Sequence, residues 1–105
     1  MSVNGEMQFH TPLGMAVFVG SQRVVDFLLD SGANPNCLCA TTESIMEQHP
    51  LMIAVRKRDL GVTETLLKKG ANPNWQDTAR LFPLFEAVNL RNAEMVELLL
   101  QYKVL

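Results

Sequence analysis

The chain has 105 residues, 48% of them hydrophobic and 19% charged, and its nine Lys and Arg against eleven Asp and Glu leave a net charge of −2. Such a composition suits one soluble domain and excludes a disordered acidic tail, and at this length folding can hide about two thirds of the chain's surface. A pI near 5.6 gives no general attraction for phosphate backbones, so no nucleic acid is expected as a partner. An apolar run such as Met15 to Val19 falls far short of the roughly 20 residues a membrane span requires, so no membrane is expected either. Met1 to His10 has neither a basic n-region nor an apolar h-region. No secretory signal is expected, and the default compartment is reducing and cytoplasmic. Arg56-Lys57-Arg58 is short for a nuclear signal but leaves the nucleus open. Cys37 and Cys39 are too few and too close for a disulfide framework and read as free thiols.

The order of elements follows from an internal repeat. Gly32-Ala33-Asn34-Pro35-Asn36 recurs identically as Gly70-Ala71-Asn72-Pro73-Asn74, and twenty residues upstream of each glycine stand Pro12-Leu13 and Pro50-Leu51. A third unit opens at Pro83-Leu84, thirty-three residues after Pro50. Ungapped alignment brings Leu13, Leu51 and Leu84 into one apolar column and Leu28, Leu66 and Leu99 into another. Each unit predicts two helices. The first opens at Thr11-Pro12, where the hydroxyl can cap and the proline's missing N–H costs nothing. A column of Ala16, Ala54 and Ala87 marks a close approach between helices. The second helix carries Val24, Val25, Phe27, Leu28 and Leu29, an arc wide enough to require cover on more than one side. Gly32 and Gly70 then supply a left-handed stop, and Pro35 and Pro73 prevent the helix from resuming. Neither helix of one unit can bury that arc alone, so the units should stack side by side.

The blocks His10-Thr11-Pro12-Leu13-Gly14-Met15-Ala16, Gly20-Ser21-Gln22-Arg23-Val24-Val25-Asp26-Phe27-Leu28-Leu29 and Gly32-Ala33-Asn34-Pro35-Asn36 together resemble the ankyrin repeat. Asn74-Trp75-Gln76-Asp77 resembles that family's turn into the next repeat. The resemblance covers roughly residues 9 to 105. It implies an all-α solenoid of three stacked helix-turn-helix units with short β-turn fingers, forming one domain over residues 1–105. The repeats would span about 9–36, 48–74 and 81–105, with an extended finger over 37–48.

Several positions depart from the family pattern. The histidine that bonds neighbouring turns in the family is replaced by Gly14, Met52 and Phe85. The capping threonine survives only as Thr11, so the starts of the second and third units, behind His49 and Phe82, should be weaker by about 1 kcal/mol each, with His49 able to cap in part. Lys103 stands where the third stop glycine belongs, which predicts an apolar end at Leu98, Leu99, Tyr102, Val104 and Leu105. Three readings account for such an end: a further repeat, self-association, or a docked partner. The first finger carries five residues more than the second, within Cys39 to Gln48, either as a binding loop or as tolerated loop drift.

Cys37, Cys39, His10 and His49 are four zinc-ligand types, yet structural zinc sites space their cysteines by two to four residues, and nothing local lowers a thiol pKa for nucleophilic catalysis. The sequence has no phosphate loop, nucleophile elbow or His-Glu-x-x-His motif. No catalytic residue, metal or cofactor is expected. Glu86, beside an apolar column, should pack its stem and reach solvent or a neighbouring turn.

The resemblance places Arg56 and Lys57 at two variable positions that face the family's concave recognition surface, together with Phe18 and Val19 and with Asn89 and Leu90. The implied function is non-catalytic protein binding through that face and the fingers. The candidate contacts are Phe18, Val19, Arg56, Lys57, Thr78, Leu81, Asn89 and Leu90, with Trp75 and the Cys39 to Gln48 loop beside them. The basic pair would suit an acidic partner segment or be a solvated face, and Trp75 would anchor a partner or fill the gap against the longer finger. Two further readings stand beside this one: a homo-oligomer formed through the uncapped last repeat, and the targeting segment of a larger enzyme or effector.

Overall fold

A computed structural model describes residues 11–39, 49–76 and 82–102. Its elements are α1 (Pro12–Val19), α2 (Gln22–Asp30), α3 (Pro50–Arg56), α4 (Leu60–Lys68), α5 (Pro83–Asn89) and α6 (Ala93–Gln101), with no β-strand element among the described residues. Helices α1, α3 and α5 pack side by side in one layer, and α2, α4 and α6 in a second. Each odd-numbered helix also packs on the even-numbered helix that follows it, so the body is three helix pairs in a row. The solenoid expected from the repeat is the observed fold.

The helix boundaries follow local chemistry. Ser21, Asp59 and Asn92 cap the second helices, their side-chain oxygens accepting the N–H groups of Val24, Val62 and Met95 at 3.4, 3.2 and 3.2 Å. The first helices all begin at a proline, and only α1 has a side-chain cap, the Gly14 N–H donating to Thr11 Oγ1 at 3.1 Å. The partial cap expected of His49 does not form. Its imidazole is stacked on the Trp75 ring instead, with centroids 4.5 Å apart.

Gly32 and Gly70 have φ of 100° and 96°, as the stop signal required. A second left-handed column ends the first helices, at Gly20, Arg58 and Arg91, with φ of 85°, 59° and 57°. The arginines carry the cost of that conformation, about 1 kcal/mol each. The turn holds them there because the next amide returns to the helix, Asp59 N–H to the Ala54 carbonyl and Asn92 N–H to the Ala87 carbonyl.

The core runs through the row of pairs without a break. Val17, Val25, Val55, Val62, Leu66, Met95 and Leu99 are fully buried, and the small column Ala16, Ala54 and Ala87 is buried in all three pairs. Buried Thr63 satisfies its hydroxyl by donating to the Asp59 carbonyl at 2.7 Å. Two expectations are corrected at the ends of the row. Val24 and Phe27 of α2 are exposed rather than covered, because no helix pair lies on that flank among the described residues. In α6 Leu98 and Leu99 lie in the core, while Leu100 stays outside together with Val88 and Phe85 of α5, because no further helix pair covers that side among the described residues. Val104 and Leu105 lie outside the described residues.

One close contact fixes the start of the row. Cys39 is buried, and a Cβ added at Gly14 would lie 2.7 Å from its Sγ and 2.9 Å from its Cβ. The thiol therefore occupies the space that a side chain at position 14 would fill. Alanine normally gains about 1 kcal/mol over glycine inside a helix, whereas overpacking costs about 1 to 3 kcal/mol. Gly14→Ala is accordingly expected to destabilise the protein by about 1 to 2 kcal/mol in urea unfolding. In a Cys39→Ala background the same change should be neutral or stabilising; an equal loss in both backgrounds would show that Cys39 does not set the limit.

Candidate functional site

The exposed ends of α1, α3 and α5 bring most of the candidate contact residues to the surface. Val19, Lys57 and Asn89 are exposed there, while Phe18, Arg56 and Leu90 are half-buried beside them. Phe18, Lys57 and Arg56 are braced across the row rather than standing free. Lys57 Nζ sits 4.5 Å from the centroid of the Phe18 ring, joining the first pair to the second through a cation–π contact. Arg56 reaches the other way, its guanidinium 3.5 Å from the carboxylate of Glu86 on α5.

Glu86 is nine-tenths buried, so its stem packs as expected while its head meets a cation of the preceding pair. Removing the guanidinium would leave a carboxylate buried without that partner, which is costly, whereas removing both charges avoids the penalty. Similar ties cross the second layer. Gln22 Nε2 donates to Thr65 Oγ1 at 2.6 Å, and Lys69 Nζ to Asp30 Oδ1 at 2.7 Å. Lys68 pairs with Glu64 within α4, so the basic cluster between Arg56 and Lys69 is largely spent on internal carboxylates.

Trp75 lies in the second finger, at the opposite end of α3 from Arg56 and Lys57. With seven residues in α3, the two groups are separated by about 10 Å along the helix. The indole is half-spent on structure: one face stacks on His49, and Nε1 donates to Asn36 Oδ1 at 3.2 Å. Asn36 is the residue that sequence reasoning passed over. Its Oδ1 also accepts the Asn72 N–H at 2.6 Å, and its Nδ2 donates to the Gly70 carbonyl at 3.1 Å, so one amide group ties the first finger to the second. The identical Gly-Ala-Asn-Pro-Asn copies signalled the two turns, whose Asn34 and Asn72 side chains accept the N–H groups two residues on at 2.9 Å, but not the bridge between them. Thr78 and Leu81, and the finger insertion beyond Cys39, lie outside the described residues.

The cysteines form a compact cluster at the start of α1. Cys37 and Cys39 sulfurs are 3.6 Å apart, and Thr11 Oγ1 lies 3.7 Å from the first and 3.3 Å from the second. Hydrogen bonding from the Cys39 thiol favours the Cys37 thiolate and draws its pKa down to about 6, against partial burial and with help from the Thr11 hydroxyl. Cys39 is pushed the other way, by its bond to Cys37 and then by burial. No local charge in the sequence suggests a lowered thiol pKa; the neighbouring sulfur is the cause. Among the described residues no group of three or more His, Cys, Asp and Glu is placed to hold a metal ion, and no helix is long and apolar enough to cross a membrane.

Comparison with known families places the geometry. The ankyrin-repeat family model matches residues 9–40 and 46–78, together more than half of the chain. The chain belongs to the ankyrin-repeat family. No curated protein matches it. The third helix pair, α5 and α6, lies beyond the matched residues yet repeats the same caps, turns and packing. Ankyrin repeats are in general protein–protein interaction modules and are typically non-catalytic.

Two outcomes test this description. Arg56→Ala is expected to cost about 1 to 3 kcal/mol in thermal unfolding, and the added change Glu86→Gln should recover part of that loss; additive losses would mean the two groups do not depend on each other. For the thiols, alkylation by iodoacetamide at Cys37 should accelerate as the pH rises through about 6 and then level off, because the thiolate is the nucleophile. Mass spectrometry of the labelled peptide reads the site, and a rate still climbing near pH 9 would contradict the lowered pKa.

Proposed function

We propose that the chain is a non-catalytic protein-binding module whose contact surface is the row of first-helix ends and fingers. The supporting observation is the juxtaposition of exposed Val19, Lys57 and Asn89 on three successive helix pairs, each beside a half-buried neighbour, of which Phe18 and Arg56 are braced by Lys57 and Glu86 and Leu90 is partly packed. A surface held in this way loses little side-chain entropy on docking, which favours affinity from few contacts. In this reading residues 1–105 are one ankyrin domain with repeats over about 9–36, 48–74 and 81–105, and Thr78 and Leu81 of the second finger belong to the contact set. Trp75 contributes from the finger side as a separate anchor.

The acidic-partner reading narrows. Arg56 already faces Glu86, so Lys57 is the cation best placed to meet a partner's carboxylate. The expected setting is the cytoplasm or nucleus. Because reversal of Arg56 would set two carboxylates against each other and disturb the fold, it is a poor probe of binding. The variant Val19→Asp, Lys57→Glu, Asn89→Arg changes only exposed positions. Against a partner identified by affinity capture, it should weaken binding at least about tenfold, a loss of roughly 1.4 kcal/mol, with the helical circular dichroism unchanged. Undiminished binding would place recognition elsewhere on the molecule.

A further inference from the structure

Each repeat-to-repeat contact uses the same alignment columns, and among the described residues the two ends of the row lack complementary halves of that contact. On the side facing the next pair, Val17 and Val55 are fully buried, but their counterpart Val88 is 58% exposed. Leu29 and Leu67 are buried, but their counterpart Leu100 is 48% exposed. Val25 and Thr63 are likewise buried where Val96 is only partly so. Facing the preceding pair, Val62 and Met95 are fully buried, whereas Val24 in the same column is 45% exposed, and Phe27, counterpart of buried Leu98, is 61% exposed.

We propose that a second copy of this chain stacks head to tail on the first, the Val88, Val96 and Leu100 face of one copy receiving the Val24 and Phe27 face of the next. The contact would continue the interface already present twice within the chain, with the same helix layers in register. Charge supports this polarity. Arg23, which lies over the Phe27 ring at 5.7 Å, belongs to the Val24 and Phe27 face of α2 that is received, while Glu97 lines the open groove on α6 that receives it. Stacking in register brings these opposite charges to the same seam. Two copies joined this way still leave one open face of each kind, so the assembly is heterologous and grows beyond a dimer. The surface is distinct from the row of Val19, Lys57 and Asn89, so assembly and partner capture succeed or fail separately.

Sedimentation over a range from about 1 μM to about 1 mM tests this. The weight-average mass of the unsubstituted 105-residue chain is expected to climb past twice 11.7 kDa with concentration. Phe27→Glu and Leu100→Glu each spoil one exposed face without touching the core, and each alone should remain at 11.7 kDa. An equimolar mixture of the two should reach twice that mass and stop, since each variant keeps the face the other has lost. An unsubstituted chain that stays monomeric throughout overturns the proposal. Self-association of either single variant also overturns it, since that would mean like faces pair, as does a mixture that remains monomeric.

Discussion

Everything in this molecule depends on lateral burial between neighbouring helix pairs. A single pair such as α3 and α4 has too little interior to bury its own apolar residues, and Val55, Val62 and Leu66 reach full burial only because pairs flank them on both sides. Stability is therefore shared along the row, and any residue that couples one pair to the next has an influence out of proportion to its own contacts. The same constraint explains why apolar side chains surface at α2 and at α5 and α6: a stacking unit has open faces wherever the row is not continued among the described residues.

Around that apolar seam the chain has placed a second system of polar ties. Lys57 on Phe18, Arg56 on Glu86, Gln22 on Thr65 and Lys69 on Asp30 all run between adjacent pairs, as does the Asn36 amide between the fingers. The buried carboxylate of Glu86 apart, exposed ties of this kind contribute little individually to stability. Their effect is directional: they fix the register and relative tilt of the pairs, and so the shape offered to a partner. Residues that would look like free recognition groups on a flat surface are in part structural staples here.

The first repeat shows how the fold absorbs a departure from its family's pattern. With Gly14 in place of a larger residue, the inner face of α1 has a gap, and Cys39 enters it from the finger. Thr11 thereby takes on two tasks, capping α1 and contacting both sulfurs. A thiol suits the place because it is small, apolar and able to share a weak hydrogen bond with a hydroxyl. The lowered pKa of Cys37 is a by-product of this packing: the two sulfurs are held so close that one proton serves both.

Periodicity alone determined the helix pairs, their order, the left-handed glycines at 32 and 70 and the apolar columns, because local turn chemistry and burial repeat whenever the same residues repeat. The row proposed for partner contact was legible only through family resemblance, which names positions but not their neighbours. What the sequence could not supply were relations between repeats of unlike composition. The pairing of Arg56 with Glu86, the stacking of Trp75 on His49, the reach of Asn36 across two fingers and the seating of Cys39 over Gly14 join residues between 25 and 39 positions apart, or use a column in which each copy differs. No period marks such contacts. Only the stacking of one pair on the next decides which side chains meet, and it was that stacking, too, that turned Leu99 inward and Leu100 outward.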